Sequence, residues 1–134
     1  MTDTYSDVFL KKILKKVKTI AIVGVSSNPN KDSFKVMEFL INHGYKIFPV
    51  NPNETNILGK KCYPALELIK EKVDMVDVFR AEEYIFDIAK QSVEIDADIL
   101  WTQEGIINEK AASFGRKFGL KVIMDKCPKK VLKH

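Results

Sequence analysis

Histidine is almost missing from this chain, which has two, His43 and His134, far apart and one of them terminal. A histidine metal centre or a histidine-activated nucleophile therefore has little to draw on. Cysteine is as scarce: Cys62 and Cys127 form no CxxC pair and are too few for a disulfide framework or a cysteine zinc site, so both read as reduced thiols. No apolar run approaches the ~18 residues that span a bilayer. The start of the chain, polar and then lysine-rich, lacks the apolar stretch and small-residue cleavage site of a secretory leader. These absences lead to an expectation of a cytoplasmic protein with no metal, no membrane partner and no evident catalytic residue.

What is present describes an ordinary folded domain. Hydrophobic residues make up 46% and charged residues 30% of 134, which excludes a disordered chain and suits one compact unit, since two would each be marginal. The net charge of +4 comes from lysines gathered at the ends, Lys11 to Lys18 and Lys126 to Lys133. No helix-turn-helix, zinc-finger or RNP pattern accompanies them, so a solvated surface is preferred to a nucleic-acid partner.

Between the charged ends, short β-branched runs alternate with helical patterns. Thr19–Val23, Lys46–Val50, Met75–Phe79, Asp98–Trp101 and Lys121–Met124 are near-continuous apolar runs of the kind buried on both faces of a parallel sheet. Helical spacing is expected over Ser33–Asn42, Pro64–Lys70, Glu82–Ser92 and Asn108–Phe118. Ser6–Lys16 collects Val8, Phe9, Ile13 and Leu14 on one side and lysines on the other. The expected architecture is α/β: a single doubly wound Rossmann-like domain, residues 18–134, with a five-stranded parallel sheet and helices on both faces. Residues 1–17 would add an amphipathic helix packed on it. Ligands of such sheets lie beyond the carboxyl ends of the strands, where the winding reverses.

The loop after the first strand, Gly24-Val25-Ser26-Ser27-Asn28-Pro29-Asn30-Lys31-Asp32-Ser33, has serine hydroxyls, a lysine and a following helix start, which together suit a phosphate. A plain turn capped by Asp32 or Ser33 is the alternative. The loop is not a dinucleotide fingerprint: counting from Gly24, the second and third glycines fall at Ser26 and Pro29. The second strand leads into Asn51-Pro52, where a NAD-binding sheet would place an acid for the ribose. The third leads into Phe79-Arg80, a ring and a guanidinium able to stack on a base or meet a phosphate. The fourth leads into Gln103-Glu104-Gly105, and the fifth into Asp125-Lys126-Cys127. Glu104 lacks a paired acid or base, and Cys127 lacks a nameable base, so both read as passive.

Taken together, Ile22-Val23-Gly24-Val25-Ser26 with Asn28-Pro29, Pro49-Val50-Asn51-Pro52, Met75-Val76-Asp77-Val78-Phe79-Arg80, Gln103-Glu104-Gly105-Ile106 and Met124-Asp125-Lys126-Cys127-Pro128 resemble the small single-domain CoA-binding proteins, over about Lys18 to Pro128. These are related to the CoA-binding domain of the succinyl-CoA synthetase α subunit. The resemblance implies that the chain binds coenzyme A or an acyl-CoA in a nucleotide-binding cleft, without catalysis of its own. Gly24, Val25, Ser26, Lys31 and Ser33 would then surround the phosphates, Asn51, Pro52, Phe79 and Arg80 would border the adenosine, and Gln103 and Gly105 would line the pantetheine side. Lys31 and Lys126 stand where such sequences commonly have arginine, and Asp32 where they often have proline. The phosphohistidine segment of the synthetase is absent from this sequence. An NAD(P)-dependent enzyme or redox sensor stays open as the alternative. A homo-oligomer or a separate catalytic chain stays open as the partner.

Overall fold

Residues 5–133 are described by a computed structural model of the chain. The first four residues of the expected 1–17 segment, and His134, lie outside them. In chain order the elements are α1 (Asp7–Lys16), β1 (Thr19–Val23), α2 (Asp32–Asn42), β2 (Lys46–Val50), β3 (Asn56–Ile57), β4 (Lys60–Lys61), β5 (Met75–Val78), α3 (Ile85–Glu94), β6 (Ile99–Thr102), α4 (Glu109–Lys117), β7 (Lys121–Ile123) and α5 (Pro128–Lys133). The five apolar runs form one parallel sheet in the order β2-β1-β5-β6-β7. β3 and β4 make a small antiparallel hairpin of their own.

Alternation along each strand divides the core into two layers. Ala21, Val23, Val76, Val78 and Leu100 face α3 and α4, whose Ile85, Ile88, Ala111 and Ala112 cover them. Ile20, Ile22, Met75, Trp101 and Ile123 face the other way, under Leu10 and Leu14 of α1, Val36 and Met37 of α2 and Val131 of α5. Trp101 is fully buried, a burial worth about 2–3 kcal/mol, and its indole N–H is satisfied by the Lys126 carbonyl at 2.9 Å. That bond fastens the segment before α5 to the centre of the sheet.

The expected helix over Pro64–Lys70 does not form. Only Leu66–Leu68 winds, as a 3-10 turn between extended Ala65 and Ile69. The cause lies just upstream: Tyr63 pairs with Val50 as a parallel bridge and exchanges backbone bonds with Pro49 and Asn51. The chain therefore arrives stretched along the edge of β2 and has room for one turn before Val73 and β5. Glu82 likewise opens a 3-10 turn, Glu82–Tyr84, and the α-helix proper starts at Ile85.

From β1 the chain winds outward through α2 to β2, then returns past β1 to β5 and continues to β6 and β7. The winding thus reverses between β1 and β5. The loops leaving these two strands, at Gly24 and at Phe79-Arg80, frame the crevice in which doubly wound sheets hold ligands.

Candidate functional site

The β1 and β5 loops meet at Gly24. The backbone there has φ +85°, and a Cβ on it would lie 2.5 Å from the Phe79 carbonyl oxygen and 2.8 Å from Arg80 Cδ. Only glycine allows that approach. On one side of the contact lies a cleft of about 260 Å³ whose walls include Gly24, Pro52, Arg80 and Tyr84. On the other lies one of about 430 Å³ bordered by Phe79, Gln103, Cys127, Lys35 and Lys130. A larger groove, about 790 Å³, sits at the opposite edge of the sheet between α1 and the start of β2, away from the loops that follow the strands.

The residues expected around a phosphate divide into framework and donors. Val25 is fully buried, so it offers backbone alone. The Ser33 hydroxyl accepts the Ser26 N–H at 2.9 Å, and the Ser26 hydroxyl accepts the Asn28 N–H at 3.0 Å. Both hydroxyls keep a proton to donate. Neither Asp32 nor Ser33 caps α2, so the alternative of a plain capped turn does not describe this loop. Lys31 occupies the N-cap position without a side-chain bond, whereas Ser6 caps α1 and Asn108 caps α4 through their side chains. The start of α2 therefore points unoccupied N–H groups and the positive end of its dipole at the carboxyl edge of the sheet.

Asn51 has a different role from the one its chemistry suggests. Its side-chain amide donates to the Val25 carbonyl at 2.9 Å, and its Oδ1 accepts the Asn53 N–H at 2.8 Å. A carboxylate at this position would lose the donor and set two acceptors against each other, so the loop itself favours asparagine over a ribose-binding acid. Arg80 stacks on Tyr84, with Cζ 4.0 Å from the ring centroid, and does not pair with Glu82 or Glu83. Phe79 turns toward Gln103 and Cys127, so the two residues expected together beside an adenosine border different clefts.

At the β6 end, the Gly105 N–H donates to Asp125 Oδ1 at 2.6 Å, and the Thr102 hydroxyl donates to the Ile106 carbonyl at 2.6 Å. Gly105 is thereby part of the loop scaffold. Glu104 pairs with Lys130 at 2.7 Å, which draws α5 to the rim of the larger cleft. Beneath that rim lies Asp77 of β5, 0% exposed. Its Oδ1 accepts the Gln103 side-chain amide at 2.5 Å, and its Oδ2 has no partner among the described residues. Burial pushes its carboxyl up to about 7, against a lowering by the Gln103 bond. Cys127 is also raised, first by burial and with contributions from Asp77 and Glu104.

Asp77 lies within the Met75–Arg80 segment, where the sequence alone gives it no role, because an acid inside an apolar run shows no counter-ion or lack of one. Tyr84 and the lysines of α5 were missed for a related reason: their positions depend on a 3-10 turn and a short helix with weak periodicity.

Residues 18–133 match the family described as CoA binding domain. The chain is 39% identical over 120 residues, 90% of its own length and 89% of the relative's, to "Uncharacterized protein YneT" of Bacillus subtilis. It is 28% identical over 119 residues to the α subunit of acetate–CoA ligase [ADP-forming] II of Pyrococcus furiosus, covering 81% of this chain but 26% of that subunit. A solved structure, "hypothetical protein from Pyrococcus horikoshii OT3", superposes with a TM-score of 0.92 at 31% identity, covering 99% of this chain and 97% of that one. By that match over most of its length, the chain belongs to the CoA-binding domain family.

Proposed function

We propose that the chain binds coenzyme A or an acyl-CoA across the carboxyl edge of the sheet. The observation that carries this reading is the contact at Gly24, which sets two clefts side by side, with the uncapped first turn of α2 on the wall of the 430 Å³ one. A long ligand with a nucleotide at one end and a thiol at the other suits such a pair. The diphosphate would lie at Gly24, Ser26 and the first turn of α2, with the Lys31 ammonium adding charge. Pro52, Arg80 and Tyr84 would border the adenosine, and Phe79 and Gln103 the pantetheine arm. Asn51, Ser33 and Gly105 would hold the loops in shape. When bound, CoA supplies a thiol that carries acyl groups. A separate chain that performs the acyl chemistry fits the same reading, because the Pyrococcus furiosus relative is a ligase α subunit of which this chain spans about a quarter.

Native mass spectrometry of the purified chain mixed with CoA tests the reading. A one-to-one adduct that weakens in Gly24→Val, with the fold intact by circular dichroism, is expected. An adduct equally abundant in both proteins overturns the assignment of the site.

A further inference from the structure

Asp77 is an expensive residue to keep. A carboxyl group in the central strand, flanked in register by Ile22 and Trp101, with one oxygen unpartnered, forgoes most of the compensation that buried acids ordinarily have. Its one partner is Gln103, whose side chain reaches from Asp77 to the wall of the 430 Å³ cleft. The amide of Gln103 has a donor end and an acceptor end. With its NH₂ end on Asp77, the carbonyl end is left for the cleft that Gln103 lines.

Resting on the CoA reading above, we propose that Asp77 is a positioning residue whose protonation selects the end of the Gln103 amide offered to the ligand, so that the cleft discriminates a free thiol from an acyl thioester. Ionised Asp77 only accepts. It holds the Gln103 NH₂ group and turns the Gln103 carbonyl toward the cleft, where it opposes the carbonyl of a thioester but not a thiol. Protonated Asp77 can leave the amide as it is, with the new O–H orphaned, or donate that O–H to a turned Gln103. An orphaned donor is less well tolerated than an orphaned carbonyl oxygen. The turned arrangement therefore prevails, and it directs NH₂ at the cleft, where it can donate to a thioester carbonyl.

The position of Asp77 puts this exchange near neutrality, since burial raises its carboxyl to about 7. Other titratable or charged groups surround the cleft. Cys127 feels the charge of Asp77 and of Glu104, which is itself paired with Lys130. α2 contributes Asp32 and Lys35, and α5 contributes Lys129 and Lys133. CoA and acetyl-CoA share the nucleotide and both pantetheine amides. Charges acting on those parts cancel in the ratio of the two affinities, which isolates the thiol end.

The test is calorimetric titration with CoA and with acetyl-CoA at about pH 5.5 and about pH 8, on either side of the Asp77 transition. The affinity ratio of acetyl-CoA to CoA should rise about fivefold at the lower pH, as one hydrogen bond is gained. In Asp77→Asn, and independently in Gln103→Met, the ratio should not change with pH. A wild-type ratio constant with pH, or a change that persists in whichever variant folds, overturns the inference while leaving CoA binding in place. Failure of both ligands to bind at either pH overturns the CoA reading and this inference with it. Carbon-13 NMR of the Asp77 carboxyl in the ligand-free protein gives a further readout: titration in the ordinary aspartate range removes the switch.

Discussion

The side-chain amide of Asn51 donates to the Val25 carbonyl at 2.9 Å, so the residue that follows β2 braces the loop that leaves β1. Its Oδ1 bond to the Asn53 N–H makes it the pin of two loops at once. Asn51→Ala should lower stability by about 1–2 kcal/mol, two modest hydrogen bonds. Chemical denaturation checks this, and an unchanged midpoint would show that the loops hold without the pin.

Gly24→Ala should be more damaging than its size suggests. The added Cβ meets the Phe79 backbone oxygen at 2.5 Å, in a conformation with φ +85° that side chains disfavour. A loss of about 2–4 kcal/mol is expected. The thermal midpoints of the two proteins decide it; a shift within error would mean that the β1 and β5 loops separate freely.

Asp77 should make the protein less stable as pH rises. Its folded value, about 7, lies above the ordinary aspartate value of 3.8, so between them the folded state binds more protons than the unfolded one. Stability therefore declines from about pH 4 to about pH 7 and is level beyond. Asp77→Asn, neutral throughout, should gain on the wild type over that interval, by a difference on the order of 4 kcal/mol once the carboxyl is ionised. Denaturation of both proteins at about pH 5 and about pH 8 measures the divergence, and parallel profiles would contradict it.

Cys127 should react slowly with alkylating reagents near neutral pH, because burial, Asp77 and Glu104 all disfavour its thiolate. Cys62, only 5% exposed and also raised by burial, should react more slowly still. Mass spectrometry of a timed iodoacetamide reaction gives both rates, each expected below that of a free cysteine and rising with pH. A Cys127 rate above that of free cysteine would contradict this account.

The five strands were legible to within a residue or two because burial on both faces makes each a continuous apolar run, and Asn108 identified the start of α4 by its capping chemistry. The β3–β4 hairpin was not, since each strand is two residues long and largely polar. α5 read as a basic tail because its six residues include three lysines. The loops leave the strands where the apolar runs end, but their internal hydrogen bonds were not legible: sequence shows that Asn51 can hydrogen-bond, not that Val25 takes its donor. Asp77 is the extreme case, since the unpartnered state of its Oδ2 depends on the packing around it and not on its neighbours in sequence.

The central claim is that this crevice takes CoA in preference to a dinucleotide, and calorimetric titration of the wild type with CoA and with NAD tests it most directly. The account predicts about one CoA per chain, bound more tightly than NAD. Lys31→Ala should weaken CoA by about tenfold or less, an exposed lysine–phosphate contact being worth near 1 kcal/mol, and added salt should shrink that difference. NAD binding tighter than CoA, or no heat of CoA binding at all, would contradict it.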